Sequence, residues 1–250
     1  MTHFIYTGFL GRGNSQHDNE WIEKRIKIFK DFTLKSLLNQ TNKNFVHWVS
    51  WRKEDKENRL VRVLDSYLNN RGYPHVFTYG GLCLWDDRKR NEQVEFKQRL
   101  EQSLPLLAPF VKEEYVYQTL LDSDDMYRKD VVEEIQELPY KEKGAAGYRS
   151  GFVMNFLNNT LARWNPQTCP PFYTIMFDKE TFLNPEKHYY YTHYHSHEYV
   201  EHFFDFISLV GKKFIVGIHD DNTTTNWGHR FRGDTIEGEY KLQRLKDFGL

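Results

Sequence analysis

The sequence predicts an α/β fold in which a central, mostly parallel sheet is flanked by helices. Short β-prone runs alternate with segments of helical periodicity along the first half of the chain, which is typical of such folds. The apolar run at residues 115–121 stops at three carboxylates, Asp122, Asp124 and Asp125. Ligands of parallel sheets bind beyond the carboxyl ends of the strands, so the acidic cluster lies where a site is expected.

The first half of the chain contains four predicted strands and four predicted helices. The strands are expected at residues 3–9, 44–51, 75–79 and 115–121. The helices are expected at residues 20–39, 58–69, 93–104 and 128–137, and the first of them repeats its apolar residues at helical spacing. Pro105 is expected to end the third helix, because proline lacks the amide hydrogen that the helix needs.

The second half follows a different pattern. Residues 144–155 are interpreted as a strand pair or hairpin, residues 174–177 as a short strand, residues 198–209 as a helix and residues 214–219 as a last strand. The sequence shows no internal repeat and no low-complexity linker. We therefore expect one domain over residues 1–250, with the C-terminal third completing the same sheet.

Composition excludes several classes of function. The 34 Lys and Arg residues balance 35 Asp and Glu residues, so no overall charge attracts nucleic acid or an anionic membrane. Two cysteines, Cys83 and Cys169, are too few for a disulfide framework. The sequence has no signal-peptide pattern and no run of about 18 apolar residues. We expect a cytoplasmic protein without a transmembrane segment.

The acidic cluster itself suggests a metal. Carboxylates this close repel one another, and a bound cation relieves the repulsion. Oxygen ligands favour Mg²⁺ or Mn²⁺ over Zn²⁺. An ordinary turn or helix cap is the competing interpretation, because Asp and Ser are common in both.

Three segments resemble a family of rhamnosyltransferases and, more distantly, the inverting family-two glycosyltransferases of the GT-A fold. They are Arg25 and Phe29 with residues 32–45, the cluster at 121–125, and residues 219–224. The resemblance implies a UDP-, GDP- or dTDP-linked sugar donor, a glycan or other hydroxyl acceptor, and Mn²⁺ or Mg²⁺. The sugar would be rhamnose or another hexose. Residues 1–138 would bind the nucleotide sugar and residues 139–250 the acceptor.

The same resemblance implies roles for individual residues. Asp124, Asp122 and His219 are the expected metal ligands, and Asp122 could instead hold the ribose. Thr7 and Gly8, at the end of the first strand, are further candidates for donor binding.

Four more residues are candidates for contacts with the nucleotide-sugar donor. Family-two enzymes often end their second strand in paired aspartates, but residues 48–53 of this chain contain none. Asp86 and Asp87 are therefore proposed in their place for the base or ribose. Arg230 and Arg232 could clamp the diphosphate, because planar guanidinium groups suit phosphate oxygens.

Inversion at the anomeric carbon would also require a base for the acceptor hydroxyl. Asp178, which follows the short strand at residues 174–177, is the candidate. The sequence does not decide between inversion and retention.

Two rival functions remain open. Residues 192–198 nearly match a dizinc hydrolase motif, with His193, His195 and His197 as candidate ligands, but two ligand positions of that motif are substituted. A non-enzymatic sugar-binding module would use the abundant aromatic residues without needing Asp122 or Asp124.

Overall fold

The computed structural model describes residues 1–10, 18–84, 93–192, 197–220, 222, 225–228 and 232–250. In these ranges ten strands form one sheet. The strands are β1 (Thr2–Phe9), β2 (Val46–Trp51), β3 (His75–Thr78), β4 (Tyr115–Leu120), β5 (Met126–Tyr127), β6 (Gly144–Asn155), β7 (Thr160–Trp164), β8 (Tyr173–Asp178), β9 (Asp205–Ile218) and β10 (Arg232–Ile236).

Helices connect the parallel strands of the N-terminal half, whereas α6, α7 and α8 of the C-terminal half have only four or five residues each. The α-helices are α1 (Asn19–Ile28), α2 (Leu34–Leu38), α3 (Arg59–Asn69), α4 (Gln93–Leu107), α5 (Val131–Gln136), α6 (Lys179–Leu183), α7 (Tyr189–Thr192), α8 (Val200–Phe203) and α9 (Gly238–Asp247). Short 3₁₀ turns cover Lys53–Glu57, Ala108–Phe110 and His197–Tyr199.

The α/β class is confirmed, but the sheet is mixed rather than mostly parallel. Strands β3, β2, β1 and β4 run parallel in that spatial order. Beyond them β8, β6, β7 and β10 each pair antiparallel with the preceding neighbour. Strand β9 adds parallel to β6 and antiparallel to β5. Helical crossovers explain the parallel half, because parallel neighbours need long connections. In the second half, β6 and β7 are joined by only four residues, 156–159, which suits antiparallel pairing.

The first predicted helix forms as α1 and α2 joined by a single π-helical segment, Phe29–Thr33. Asp18 caps its start by accepting a hydrogen bond of 2.9 Å from the amide of Trp21. Single π-helical turns are often found at functional sites. Arg25 lies on α1, one turn before this segment.

Three element predictions were wrong. Residues 144–155 form one continuous strand, β6, and not a hairpin. Pro105 lies inside α4, which ends only at Leu107. Proline near the last turn removes one hydrogen bond, and the chain continues for two residues before the 3₁₀ turn begins.

The third wrong element is the helix predicted at residues 198–209. Only one turn forms there, α8, because the chain becomes extended at Phe204 and enters β9. The β-prone residues Phe206 and Ile207 then pair with Ala145 and Ala146 of β6. The strand predicted at residues 214–219 is the second half of this 14-residue strand.

The core lies on both faces of the parallel strands. Phe4 and Tyr6 of β1 belong to one buried cluster, and Ile5 and Phe9 belong to the other. This alternation is the period of two that a strand imposes on its side chains. Within the described ranges, no helix combines the length and the apolar composition needed to cross a membrane.

Candidate functional site

The acidic cluster forms a turn at the carboxyl ends of two parallel strands. The amide of Leu121 donates to the carbonyl of Tyr6 at 3.0 Å, which continues the pairing of β4 with β1 beyond β4 itself. The amide of Asp125 then donates to the carbonyl of Asp122 at 3.1 Å and closes the turn. Residues 122–125 therefore lie at the edge of the sheet where ligands of parallel sheets bind.

Asp124 is the centre of a polar cluster drawn from three separate segments. Its Oδ2 atom accepts from Nη1 of Arg25 at 3.0 Å and from Nδ2 of Asn222 at 3.2 Å. Nε2 of His219, the residue after β9, lies 3.0 Å from the same oxygen. Both Asp124 and His219 are 6 % exposed, so the cluster is nearly closed to solvent.

Asn222 fixes His219 as well as Asp124. Its Oδ1 accepts a hydrogen bond from the amide of His219, and its Nδ2 also donates to the carbonyl of Gly217 at 3.0 Å. The spacing of three residues between His219 and Asn222 lets the Asn side chain close a turn on its own backbone. Asn222 thus ties the backbone of His219 to the carboxylate of Asp124.

The electrostatics of the cluster favour an ionised Asp124. Burial alone would raise the pKa of this carboxyl, but the positive charge of Arg25 and the hydrogen bond with His219 outweigh burial and lower the pKa to about 2. Asp125 behaves in the opposite way. Burial, and then repulsion from Asp124 and Asp122, holds the pKa of Asp125 well above its usual range.

Asp125 has a structural task. Its Oδ1 accepts from the amide of Gly217 at 2.9 Å, which ties the turn after β4 to β9. Gly217 allows a very close approach, because a Cβ atom there would lie 2.5 Å from the ring of Phe156 and closer still to the carbonyl oxygen of Asp124. Only glycine leaves room for the peptide that carries Asp124.

Asp124 and His219 supply some of the ligand atoms that a divalent cation needs. Two ligands at right angles, each about 2.1 Å from an ion, are about 3.0 Å apart, and this is the separation of Asp124 Oδ2 and His219 Nε2. Among the described residues, no group of three His, Cys, Asp or Glu side chains is arranged to hold a metal. A cation here would use two protein ligands and complete its shell with water or phosphate oxygens, as Mg²⁺ commonly does. An imidazole ligand favours Mn²⁺ over Mg²⁺.

The predicted donor-binding residues differ in their exposure. Asp122 and Gly8 are partly exposed at the sheet edge. Thr7 is fully buried, and its hydroxyl donates to the carbonyl of Leu121 at 2.7 Å while contacting Nε2 of His47 at 2.9 Å. In this structure Thr7 therefore supports the strand end and has no exposed surface.

Asp178 does not lie with the other predicted residues. It pairs with Tyr115, at the amino end of β4. Leu121 lies six positions further along the chain, which is about 20 Å of strand. The carboxylate of Asp178 accepts from the amide of Thr181 at 2.8 Å and caps α6. In this structure Asp178 is therefore a helix cap at the opposite edge of the sheet and is not brought together with Asp124.

The remaining predicted residues lie elsewhere or outside the described ranges. Arg232 begins β10, and its guanidinium carbon lies 4.9 Å from the ring centre of Trp227. His197 contacts the carbonyl of Cys169 through Nδ1 at 2.7 Å. Asp86, Asp87, Arg230, His193 and His195 are outside the described residues.

Sequence reasoning assigned no chemical role to three residues that build the site. Arg25 and Asn222 entered only as parts of a family pattern, although both contact Asp124. Gly217 went unremarked, although a glycine inside a β-prone run is the usual signal of a close backbone approach. The contact of Arg25 has no local signal, because it joins residues 99 positions apart.

Comparison with known proteins adds little to this picture. No family model matches the sequence, and no curated protein matches it. Among solved structures, the apo form of mouse xyloside xylosyltransferase 1 is similar, with 13 % sequence identity, a TM-score of 0.37, and coverage of 83 % of this chain and 84 % of that chain. A TM-score this low does not establish a common fold.

Proposed function

We propose that this chain is a glycosyltransferase that moves a sugar from a nucleotide-diphosphate donor to a glycan or other hydroxyl acceptor, with Mn²⁺ or Mg²⁺ held by Asp124 and His219. One observation carries the proposal. A carboxylate oxygen and an imidazole nitrogen converge to 3.0 Å at the carboxyl ends of parallel strands. This is a place and a ligand pair suited to a cation that binds phosphate oxygens.

The chemistry of sugar transfer requires positive charge at this point. When the bond between the anomeric carbon and the diphosphate breaks, negative charge develops on the leaving phosphate. A bound divalent cation supplies the counter-charge. Asp124 and His219 would hold it, while Asn222 keeps both side chains in place through its three hydrogen bonds.

The nucleotide would lie over the carboxyl ends of β1, β2 and β3. Gly8, Arg52, Gly81 and Cys83 are partly exposed along this edge. Asp122 is partly exposed beside them and is the carboxylate best placed to accept from a ribose hydroxyl or to hold a metal-bound water. A hexose such as rhamnose as the donor sugar rests on the sequence resemblance alone.

A thermal-shift panel tests the proposal. The protein is melted with UDP-, GDP- and dTDP-linked sugars, each with and without MnCl₂. One nucleotide class should raise the melting temperature in the presence of Mn²⁺, because a ligand at 100 times its Kd stabilises the native state by about 2.7 kcal/mol. D124N should abolish this shift. D205N is the matched control, because Asp205 is an exposed aspartate that pairs with Lys141 at 2.8 Å.

Two results would overturn the proposal. The first is that no nucleotide sugar stabilises the protein under any metal condition. The second is that Zn²⁺ alone stabilises it and supports ester or lactone hydrolysis, in which case the dizinc hydrolase replaces the transferase. Sugar binding that D124N leaves intact would favour the non-enzymatic sugar-binding module.

A further inference from the structure

Arg25 occupies the cation position of the candidate site. Its Nη1 atom lies 3.0 Å from Asp124 Oδ2 and 2.6 Å from His219 Nε2, so one guanidinium nitrogen touches both proposed metal ligands. The Arg25 side chain is only 16 % exposed. The ring of Trp21, one turn earlier on α1, lies 5.6 Å from its guanidinium carbon and steadies it.

The three contacts among Nη1 of Arg25, Oδ2 of Asp124 and Nε2 of His219 cannot all be hydrogen bonds. If His219 Nε2 carries a hydrogen, it donates to Asp124 but meets another N–H group on Arg25. If Nε2 carries no hydrogen, it accepts from Arg25 but turns a lone pair towards the oxygen of Asp124. Two acceptors converging on one point are satisfied together by a cation that both can ligate. In this structure the positive group at that point is Arg25.

The neighbouring lysine shows that the arrangement is specific to Arg25. Lys24 pairs with Asp220 at 2.9 Å, and both side chains are largely in solvent, 41 % and 54 % exposed. An exposed pair of this kind contributes little, whereas a nearly buried one has strong mutual attraction. Arg25 also keeps its Nε atom buried without a hydrogen-bond partner among the described residues. A buried donor without a partner is costly, so the guanidinium is not fully satisfied in this position.

We propose that Arg25 is a resident counter-cation of Asp124 which a divalent ion must displace when the nucleotide-sugar donor binds. The proposal rests on the proposed function. A second cation cannot ligate Asp124 Oδ2 and His219 Nε2 while Nη1 of Arg25 contacts both. Displacement frees a guanidinium next to the donor's diphosphate, to which planar guanidinium groups bind well. Arg25 therefore sets the affinity for the metal. The position of the Arg25 side chain depends on whether the nucleotide-sugar donor is bound.

The test is the affinity of the donor-free protein for Mn²⁺, measured by isothermal titration calorimetry and by the electron paramagnetic resonance signal of free Mn²⁺. R25M removes the competing charge and should bind Mn²⁺ at least about tenfold more tightly than the unaltered chain, since each tenfold step corresponds to about 1.4 kcal/mol. R25K keeps a cation and should stay within about threefold. K24M is the matched control and should also leave the affinity unchanged.

The outcomes separate this inference from the proposed function. If Mn²⁺ binds the unaltered chain, D124N abolishes that binding and R25M binds no more tightly, the displacement of Arg25 is refuted while the metal site stands. If neither the unaltered chain nor R25M binds Mn²⁺, the metal site falls and the displacement falls with it. R25M leaves Asp124 buried without a cation, which opposes folding, so R25Q is measured beside it. The amide of the new glutamine can still donate to Asp124. Tighter binding by either neutral variant supports the proposal.

Discussion

Replacing Gly217 by alanine would force a methyl group into the contact between β9 and the turn that carries Asp124. The new Cβ atom would lie 2.5 Å from the Phe156 ring and even nearer to the carbonyl oxygen of Asp124. Ordinary carbon contacts need about 3.5 Å, so the two segments must separate by about 1 Å. Part of the obstacle is backbone, and a backbone atom cannot rotate away as a side chain can.

The expected cost is at the upper end of the range for overpacked sites, about 3 kcal/mol of unfolding free energy. For a chain of 250 residues this lowers the melting temperature by about 6–12 °C. The separation also moves Asp124 relative to His219, and a misplacement of about 1 Å can cost about 100-fold in rate. G217A should therefore lose stability and Mn²⁺-dependent donor binding together, measured by urea unfolding and by thermal shift.

Two other glycines provide controls for this prediction. G151A should lose comparable stability, because a Cβ atom at Gly151 would lie 2.5 Å from the Phe214 ring. It should keep donor binding, since Phe214 is not one of the side chains that hold the Asp124 carboxylate. G228A should change neither property, because the nearest atom to its Cβ would be 3.5 Å away. Wild-type stability of G217A would refute the close approach, and equal loss of binding in G151A and G217A would refute the specific link to Asp124.

Three further predictions follow from buried polar groups. Burial lowers the pKa of His3 and of His47 from 6.5 to about 3, so the native state keeps both neutral. The contribution of each histidine to the free energy of unfolding should be fully present above pH 6.5. The free energy of unfolding should fall towards pH 3 by up to about 1.4 kcal/mol per pH unit for each histidine. Urea unfolding at a series of pH values measures this dependence of the unfolding free energy on pH. H47Q should make the dependence less steep, and an equal steepness in H47Q would contradict the prediction. K213M should cost about 1–3 kcal/mol in urea unfolding, because Lys213 is 12 % exposed and binds Asp130 at 2.6 Å; an unchanged midpoint would contradict it. N222A should weaken Mn²⁺ binding about 10–100-fold in calorimetry, because the ligand side chains lose their orientation. An unchanged affinity would show that Asn222 has no part in holding Asp124.

The parts of the site that could be predicted lie at strand ends. An apolar run that stops at acidic residues places Asp124 at the sheet edge, and His219 is the final residue of the last predicted strand. Both inferences need only local patterns and the rule that ligands bind at carboxyl ends. They do not require knowledge of which strands are neighbours.

The features that could not be predicted depend on pairing and packing between distant segments. Asp178 follows a strand just as Asp122 does, but β8 runs antiparallel to β4, so its end lies at the opposite edge. Residues 198–209 contain apolar residues compatible with either a helix or a strand, and pairing with β6 decides for the strand. Arg25 of α1 contacts Asp124 across 99 positions of sequence, and no local pattern indicates such a contact.

The 95 positions between Asp124 and His219 have a consequence for biogenesis. A ribosome adds about 5–20 residues per second, so a nascent chain carries Asp124 for several seconds before His219 has been made. Pairing across such long sequence separations also forms slowly. Asp124 and its neighbours must therefore remain hydrated until β9 has been synthesised, and a chain released before β9 would contain Asp124 without the histidine that lies 3.0 Å from it.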